Sequence, residues 1–204
     1  DPPELNVKQI FVSRFEGGTI MEADFSQAEL RVAAMMSKDP ALSAAIESER
    51  DVHTETAATL LAKDYDDITE DERQQCKTLN FLILYGGGAN TLSKKLGVSK
   101  AKAKSLIEDY FRAFPRLKDY IDEVHREVRT NLMVESPFGF QRHFVEPPAK
   151  PNGGDRWNQW EGWRIQRQAF NMIIQNTAAC ITFAALVQVD REMKARGCKS
   201  VLFG

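Results

Sequence analysis

The hydrophobic and polar positions of this chain predict a mainly helical structure in which polar cap residues mark the helix starts. An alanine-rich segment starts at Ser26, and Glu29 three residues later completes a capping box, in which each side chain bonds the other residue's backbone N–H. Thr69 and Glu72 repeat this pattern and predict a helix over residues 70–85, which the triple glycine 86–88 ends. Further helix starts are predicted by single cap residues, at Asp39 before Pro40, at Asp51 and at Ser99.

The second half of the chain predicts two shorter helices, a hairpin and one long helix. The two helices are expected over residues 99–112 and 115–131, because the proline at the second start cannot continue a helix that began before it. Residues 132–145 have the composition of a β-hairpin with Pro137-Phe138-Gly139 at its turn. A long helix is expected from about residue 162 to 196.

Strands are predicted at both ends of this order. A turn at Gly17-Gly18 leads into a strand over residues 19–25, and "KSVLFG" at 199–204 predicts the start of another. A strand, a helical insertion of roughly 120 residues, a long helix and a second strand fit an α+β fold, in which a sheet carries a helical subdomain. A chain that starts with "DPPELN" and stops inside a predicted strand is expected to be a portion of something longer.

Composition and charge place few limits on function. The 204 residues are 43% hydrophobic and 27% charged, enough for one large domain or two small subdomains with a core. The net charge of −2 shows no basic excess that would indicate nucleic acid, although five lysines cluster in residues 93–104. A solvated helix face explains such a run as well, so both explanations stay open.

Cysteine spacing and hydropathy predict a cytosolic protein, either in a bacterium or in a phage-infected cell. The three cysteines, Cys76, Cys180 and Cys198, are far apart and form no C-x-x-C pair, which indicates reduced thiols rather than a disulfide or a zinc site. No apolar run approaches the roughly 20 residues that span a bilayer, and no signal pattern opens the chain. No membrane partner is therefore expected.

Residues 73–85 place four side chains on one face of a predicted helix. Arg73, Lys77, Phe81 and Tyr85 recur every four residues, and each such step drifts by only about 40° around a helix. Two cations one turn apart can hold successive phosphates, and the rings that follow offer a flat wall for a sugar and a base. An amphipathic helix that buries its rings and extends its cations into solvent has the same pattern. The spacing alone leaves both interpretations open.

A carboxylate precedes the first predicted helix, at Asp24 in "EADFSQAELR". An aspartate at the end of a strand, just before a helix, is a common place for a metal ligand. An aspartate there also starts helices or forms turns without binding metal. Glu29 likewise has a structural explanation in the capping box, so each signal is ambiguous by itself.

Together, four segments resemble DNA polymerase family A, the group that includes bacterial DNA polymerase I and many phage replicases. "ADFSQAELR" is similar to its motif A, D-Y-S-Q-I-E-L-R, and "RQQCKTLNFLILYG" to its motif B, R-x-x-x-K-x-x-x-F-x-x-x-Y-G. "RDVHTETAATLL" resembles its D-I-H-T-x-T-A segment, and "RQAFNMIIQNTAA" resembles its R-x-x-x-N-x-x-x-Q-G-T-A-A segment. The resemblance covers nearly the whole chain in the family's order, and it implies a template-directed DNA polymerase that binds dNTPs and primer–template DNA.

The resemblance implies roles for residues of motifs A and B. Asp24 and the backbone carbonyl of Phe25 match ligands of two Mg²⁺ ions, one that activates the primer 3′-hydroxyl and one that stabilises the triphosphate. Glu29 and Tyr85 match a steric gate that leaves no room for a 2′-hydroxyl on the sugar. Lys77 is implied to be catalytic as well as substrate-binding. The other residues implied to bind the incoming nucleotide are Gln27, His53, Arg73, Lys77 and Phe81.

A second set of residues is implied to contact primer–template DNA. Arg167, Asn171 and Gln175 recur every four residues in the long helix, and Arg142 in the hairpin is a fourth candidate. Minor-groove acceptors are shared by all base pairs, so an amide side chain there can test pairing geometry without reading sequence.

The implied architecture is a polymerase palm whose sheet holds helical fingers. The palm would comprise residues 1–40 and 157–204 and the fingers residues 41–156, with the helix 70–85 closing on the nucleotide. Phe81 in that helix is implied to disfavour dideoxynucleotides, because it lacks a phenol that could replace the hydrogen bond of the missing 3′-hydroxyl.

The chain also departs from the family pattern. It contains no His-Asp-Glu-like motif C, which carries the second metal-binding aspartate of the family, and one carboxylate cannot fix two metals. The chain alone is therefore expected to be inactive and to need a C-terminal polymerase fragment that carries motif C and pairs with the last strand. Leu82, Asn176 and Cys180 replace residues usual in the family, which indicates a divergent, phage-like member.

Two other functions are compatible with parts of the sequence. A single-subunit RNA polymerase shares the Arg…Lys…Tyr-Gly pattern, but Glu29 at the sugar gate and Phe81 disfavour it. A non-catalytic nucleic-acid-binding or assembly module would use the lysine cluster of residues 93–104 and would not depend on Asp24 or Lys77.

Overall fold

The computed structural model describes residues 10–150 and 153–202, and within these ranges the chain is mainly helical with one small sheet. This agrees with the predicted α+β class. Two short 3₁₀ turns lie at Tyr65–Asp67 and Arg156–Asn158. The α-helices and strands are, in chain order, α1 (Ala28–Ser37), α2 (Pro40–Glu47), α3 (Val52–Leu61), α4 (Glu70–Leu84), α5 (Ala89–Leu96), α6 (Lys100–Ala113), α7 (Pro115–Asn131), β1 (Met133–Glu135), β2 (Gln141–His143) and α8 (Trp160–Ala195).

Most predicted helix starts are confirmed, because the expected side chains bond free N–H groups of the first turn. The Asp51 carboxylate accepts a hydrogen bond from the Thr54 backbone N–H at 2.9 Å, and Ser99 caps α6 in the same way. At α4, Thr69 and Glu72 make both bonds of the capping box. These starts depend only on neighbouring residues, so the sequence pattern is sufficient to predict them.

Asp39 caps two helices at once. Its Oδ1 accepts hydrogen bonds from the backbone N–H groups of Ala41 and Leu42, at 3.1 and 3.0 Å, in the first turn of α2. Its Oδ2 accepts from the N–H groups of Arg116 and Leu117, at 3.0 and 3.3 Å, in the first turn of α7. The carboxylate is fully buried and ties α2 to a helix that starts more than 70 residues later.

The predicted capping box at Ser26 and Glu29 is wrong. α1 begins at Ala28, and its cap residue Gln27 has a φ of 55° and makes no side-chain bond to the helix. The Ser26 carbonyl instead accepts a hydrogen bond from Nε of Arg31 at 2.9 Å. Glu29 contacts a tyrosine of α4, described below, so its carboxylate is engaged away from its own helix start.

The two strands predicted near the ends are also wrong as far as the structure describes them. Residues 19–25 and 199–202 have no regular structure, and residues 203–204 lie outside the described range. A strand persists only where a neighbour completes its hydrogen bonds. In the described ranges the sheet consists of the β1–β2 hairpin, with Val134 paired to Arg142, and no strand of it lies beside residues 19–25.

Helix α5 is an element that the sequence analysis did not predict. Its second half overlaps the lysine-rich run of residues 93–104, in which the charged positions indicate a solvated face and obscure the apolar ones. Leu92 of α5 is fully buried, and the helix ends at Gly97, whose φ of 66° suits a residue without a side chain. The lysine cluster is therefore the outer face of two consecutive helices, α5 and α6.

The hydrophobic core joins helices from the whole described chain. Buried residues of α1, α4, α6, α7 and α8 form one continuous cluster, and α8 packs along α7 and α1. Only the first half of α8, up to Ala178, is buried in this way. Its second half is exposed, and the large apolar side chains that it presents to solvent are Ile181, Phe183, Leu186, Val187 and Val189.

Among the described residues, one helix, α8, is long enough and apolar enough to cross a membrane, judged by its length and composition alone. A core helix of a globular protein meets the same criteria, and the first half of α8 is such a helix. The expectation that the chain has no membrane partner stays a prediction.

Candidate functional site

Helix α4 presents the predicted row of side chains along one face. Arg73 is the first residue of the row and forms ion pairs with two carboxylates. Its Nε and one terminal nitrogen donate to the two carboxylate oxygens of Asp51, each at 3.0 Å, and its other terminal nitrogen donates to Glu70 at 2.9 Å. Burial acts to raise the pKa of Asp51, but hydrogen bonds from Arg73 and Thr54 outweigh it and lower that pKa to about 2. Arg73 is thus held in place before any ligand is bound.

Lys77 follows one turn later and differs from Arg73 in having no protein partner. Its side chain is half-buried, and across residues 10–150 and 153–202 it makes no ion pair and no hydrogen bond. A lysine ammonium carries three N–H donors. Lys77 therefore offers a positive charge to a ligand on this face of α4.

His53 of α3 lies beside the row and is buried, with 1% of its surface exposed. Its Nδ1 is 3.0 Å from the side-chain nitrogen of Asn80, while its Nε2 has no hydrogen-bond partner in the described part of the chain. Burial lowers the pKa of His53, and the charges of Lys77 and Arg73 lower it further against the opposite effect of Asp51. The imidazole is therefore neutral at pH 7, with one polar atom unsatisfied.

Three aromatic rings continue the face beyond the cations. The His53 and Phe81 ring centroids are 5.8 Å apart, with their planes tilted by 49°. The Phe81 and Tyr85 rings are 6.3 Å apart and nearly parallel, at 8°. Phe81 and Tyr85 therefore share one orientation, with His53 tilted against them, and the row ends at the partly exposed Tyr85.

Tyr85 joins three helices at the far end of the row. The Glu29 carboxylate of α1 lies against the Tyr85 hydroxyl and raises the pKa of that phenol, with burial adding to the effect. Gln175 of α8 bonds the same hydroxyl and acts in the opposite direction. The predicted pair of Glu29 and Tyr85 is thus brought together, with a residue predicted to contact DNA beside it.

Helix α8 meets the end of α4 through Arg167. A Cβ placed on Gly86, whose φ is 64°, would lie 2.5 Å from Cγ of Arg167, so only glycine admits this approach. One turn further along α8, the amide oxygen of Asn171 is buried without a hydrogen-bond partner among the described residues. A cleft of about 480 Å³ opens beside these residues, and its walls include Ile83, Gly88, Phe111, Ile121, Arg167 and Phe170.

Arg142 lies on β2 next to the same helix. Its guanidinium is 3.4 Å from the side-chain oxygen of Gln168 and lies over the Phe144 ring at 5.1 Å. It is exposed, so its charge is accessible from solvent. The hairpin thus presents a cation on the side of α8 that carries Gln168.

Asp24 and Phe25 lie in the exposed segment before α1, next to its cap residue Gln27. Within residues 10–150 and 153–202, no three His, Cys, Asp or Glu side chains come close enough to hold a metal ion together. One carboxylate and one carbonyl supply two of the six oxygen ligands that Mg²⁺ prefers. The described residues therefore do not form a complete magnesium site.

The structure adds two residues that the sequence analysis did not assign to the site. The sequence predicts Asp51 only as a helix cap, but both of its carboxylate oxygens also accept hydrogen bonds from Arg73. The sequence pattern predicts no role for Asn80, which bonds His53 from inside the core. Asp51 lies two residues before His53 and Asn80 one before Phe81, but the spacing alone does not reveal that α3 and α4 pack face to face.

Comparison with known proteins gives concordant results. A family model described as DNA polymerase family A matches residues 2–203. The chain is 36% identical over 192 residues to DNA polymerase I of Streptococcus pneumoniae serotype 4, covering 94% of this chain and 21% of that protein. It is 34% identical over 201 residues to the thermostable DNA polymerase I of Thermus filiformis, covering 98% and 23%.

A solved structure agrees with these sequence matches. The structure of the POL domain of Pol1 from M. smegmatis, in complex with DNA primer-template and dNTP, superposes with a TM-score of 0.77 at 28% identity. The match covers 86% of this chain and 30% of that one. The chain thus spans about a fifth of the length of the curated relatives quoted. The family match extends over nearly every residue, and the chain belongs to DNA polymerase family A.

Proposed function

We propose that this chain is the palm–fingers portion of a template-directed DNA polymerase, with palm residues 1–40 and 157–204 and fingers residues 41–156. One observation carries the proposal. Lys77 has no ion-pair partner among the described residues, and it lies between a fixed Arg73 and a stacked pair of rings, Phe81 and Tyr85. That order of groups matches the order of phosphates, sugar and base in a nucleoside triphosphate.

The proposed nucleotide lies along α4. Lys77 and Arg73 bind the phosphates, and the buried N–H of His53 donates to a phosphate oxygen. Phe81 contacts the sugar, and Glu29 bonded to Tyr85 closes the space in which a 2′-hydroxyl would sit. Gln27 lies two residues before this gate, at the turn into α1.

The proposed primer–template lies along α8 and the hairpin. Arg167, Asn171, Gln175 and Arg142 contact it, and the amides test the geometry of the new base pair. The POL domain of Pol1 from M. smegmatis was solved with DNA primer-template and dNTP, which supports DNA and dNTPs as the partners proposed here.

Polymerases of this family generally use Mg²⁺, and we propose that Asp24 and the Phe25 carbonyl are part of its site. A second carboxylate, supplied by a C-terminal polymerase fragment with motif C, would complete it. By this proposal the chain alone does not catalyse nucleotide transfer. The proposed location is the cytosol, where its three free cysteines stay reduced.

Nucleotide binding tests the proposal directly on the chain as it exists. We expect binding of a fluorescent dNTP to weaken about tenfold or more in Lys77→Ala, because a charge-assisted contact to the triphosphate is lost. Lys194→Ala is the matched control, since that lysine lies on α8 roughly 40 Å along the helix from Arg167. Equal affinity in the wild type and Lys77→Ala would refute the assignment of the row.

Reconstitution tests the polymerase activity. Mixing the chain with a C-terminal fragment that carries motif C is expected to give Mg²⁺-dependent primer extension with dNTPs, and little with NTPs. Preferred incorporation of NTPs would favour a single-subunit RNA polymerase, which the family match disfavours. Absence of extension from a folded mixture would count against the proposal.

A non-catalytic nucleic-acid-binding module is the second candidate, because the lysines of α5 and α6 are largely exposed on the outer face. It predicts DNA binding that is unchanged in Asp24→Ala and Lys77→Ala, with no nucleotide transfer in any mixture.

A further inference from the structure

Asn80 connects the proposed nucleotide site to the core through a closed set of hydrogen bonds. The residue is 1% exposed and lies on the inner side of α4, next to Phe81 in sequence. Its side-chain oxygen is 2.8 Å from the hydroxyl of Tyr110, which is fully buried in α6. Its side-chain nitrogen is 3.0 Å from Nδ1 of His53 and 2.9 Å from Oγ1 of Thr56.

The hydrogen atoms in this set can be arranged in one consistent way. The Thr56 hydroxyl donates to the backbone carbonyl of His53 at 3.1 Å, and a hydroxyl has only one proton to donate. Its bond with Asn80 therefore needs a donor on Asn80, so the amide nitrogen faces Thr56 and the amide oxygen faces Tyr110. Cys76, 3.0 Å from Thr56, keeps its thiol proton and donates to the same hydroxyl oxygen, since burial raises the pKa of that thiol to about 11.

This arrangement determines which nitrogen of His53 carries the proton. The second proton of the Asn80 amide points at Nδ1 of His53, so Nδ1 is an acceptor and is not protonated. A neutral imidazole has one N–H, which is then on Nε2. That atom is buried and has no hydrogen-bond partner in residues 10–150 and 153–202, and it lies in the ring that contacts Phe81.

We propose that Asn80 is a positioning residue that holds His53 as the tautomer with its proton on Nε2, so that this N–H is ready to donate to a phosphate oxygen of the incoming nucleotide. Tyr110 orients the amide, and the amide orients the imidazole. The last step, donation to a phosphate, rests on the proposed function, whereas the tautomer does not.

Nitrogen NMR of ¹⁵N-histidine-labelled chain tests the tautomer without any nucleotide. The chain has three histidines, and the His53 signal is assigned by its loss in His53→Gln. At pH 8 we expect an unprotonated Nδ1 and a protonated Nε2. In Asn80→Asp, which has nearly the same shape, the carboxylate is an acceptor, and the proton is expected to move to Nδ1 or to charge the ring. A wild-type signal with the proton on Nδ1 would overturn the proposal.

Tyr110→Phe is a second variant that keeps the proposal testable if Asn80→Asp does not fold. It leaves Asn80 in place but removes the hydroxyl that orients its amide, so a mixture of the two tautomers is expected. A single Nε2–H signal that persists in every folded variant would show that Asn80 does not determine the tautomer.

Nucleotide affinity separates positioning from a general structural effect. Asn80→Leu, which is similar in size and adds no charge near the phosphates, is expected to weaken binding of a fluorescent dNTP about tenfold or more, and to have no further effect in a His53→Gln background, because Asn80 acts through that ring. Additive losses would mean that Asn80 acts independently of His53 and would overturn the inference. No dNTP binding even by the wild type, with the expected tautomer present, would instead overturn the proposed function.

Discussion

Arg73 and Asp51 form a two-point ion pair between α4 and the start of α3, with both nitrogen–oxygen distances at 3.0 Å. The carboxylate also caps α3, so one side chain positions a helix and a cation of the proposed site together. In the proposed nucleotide complex the Arg73 side chain would already be fixed in direction, so less conformational freedom would be lost on binding.

This pair predicts a pH-dependent contribution to stability. The folded-state pKa of Asp51, about 2, lies below the ordinary value of 3.8 for an aspartate. The contribution is therefore fully present above the unfolded-state pKa and is lost as the pH falls through the folded-state value. Asp51→Asn keeps a cap residue but loses the charge, so we expect the free energy of unfolding to fall by about 1 kcal/mol at pH 7, as for a partly exposed pair.

Urea denaturation of the wild type and Asp51→Asn at pH 7 and pH 3 measures this effect. The difference between the two proteins should be smaller at pH 3. Asp109→Asn is the control, since that carboxylate pairs with Arg112 on the surface of α6 and should contribute a few tenths of a kcal/mol. A difference that does not change with pH would contradict the assignment.

A glycine pair gives a second prediction. Gly86→Ala is expected to lower the free energy of unfolding by about 1–2 kcal/mol, because of its positive φ and the close approach of Arg167. It should also weaken binding to primer–template DNA, since Arg167 is displaced. Gly88→Ala is the matched control, with a φ of −105° and no atom within 4 Å of the added Cβ. Because Gly88 is the cap residue of α5, we expect a smaller loss of about 0.5 kcal/mol and unchanged DNA binding. Urea denaturation measures the free energy of unfolding of both variants, and titration with primer–template DNA measures their affinity; equal effects of the two substitutions would contradict the prediction.

The start of α4 gives a third prediction. Thr69→Ala removes the capping box and should lower the free energy of unfolding by about 1 kcal/mol. Thr78→Ala, in the middle of the same helix, removes a hydroxyl whose one partner among the described residues is the Gln74 carbonyl of its own helix, and should be neutral or slightly stabilising. Equal losses in the two variants would mean that the cap is not important for α4.

Phe81 gives a fourth prediction, for the mixture with a motif C fragment. The wild-type chain should discriminate against dideoxynucleotides, and Phe81→Tyr should relieve that discrimination, because a phenol can replace the hydrogen bond of the missing 3′-hydroxyl. Phe138→Tyr, at the exposed hairpin turn, is the control and should leave the ratio unchanged. Incorporation ratios of dideoxy- to deoxynucleotides measure the effect, and equal ratios in wild type and Phe81→Tyr would contradict it.

The features that could be predicted from the sequence are those that depend on neighbouring residues. The caps at Asp39, Asp51 and Ser99 are confirmed because each bonds a backbone N–H within three residues. The prediction of a strand at 19–25 is wrong because a strand depends on a pairing partner that its own sequence does not contain.

The candidate site shows the same division. The row from Arg73 to Tyr85 follows from helical spacing, so its common face was predictable. Asp39 bonding α7, Asp51 holding Arg73 and Asn80 bonding His53 are contacts between residues at least 22 positions apart. Such contacts depend on how the helices pack, and no local pattern encodes them.

The division of α8 into a buried first half and an exposed second half has a kinetic consequence. Amide protons in residues 165–178 are protected by the same packing as the core, and we expect their exchange with deuterium to require unfolding of the whole chain. Those of residues 179–195 are held only by the helix's own hydrogen bonds and exchange when its last turns unwind. One uninterrupted helix is therefore expected to show two exchange rates, with the boundary near Ala178.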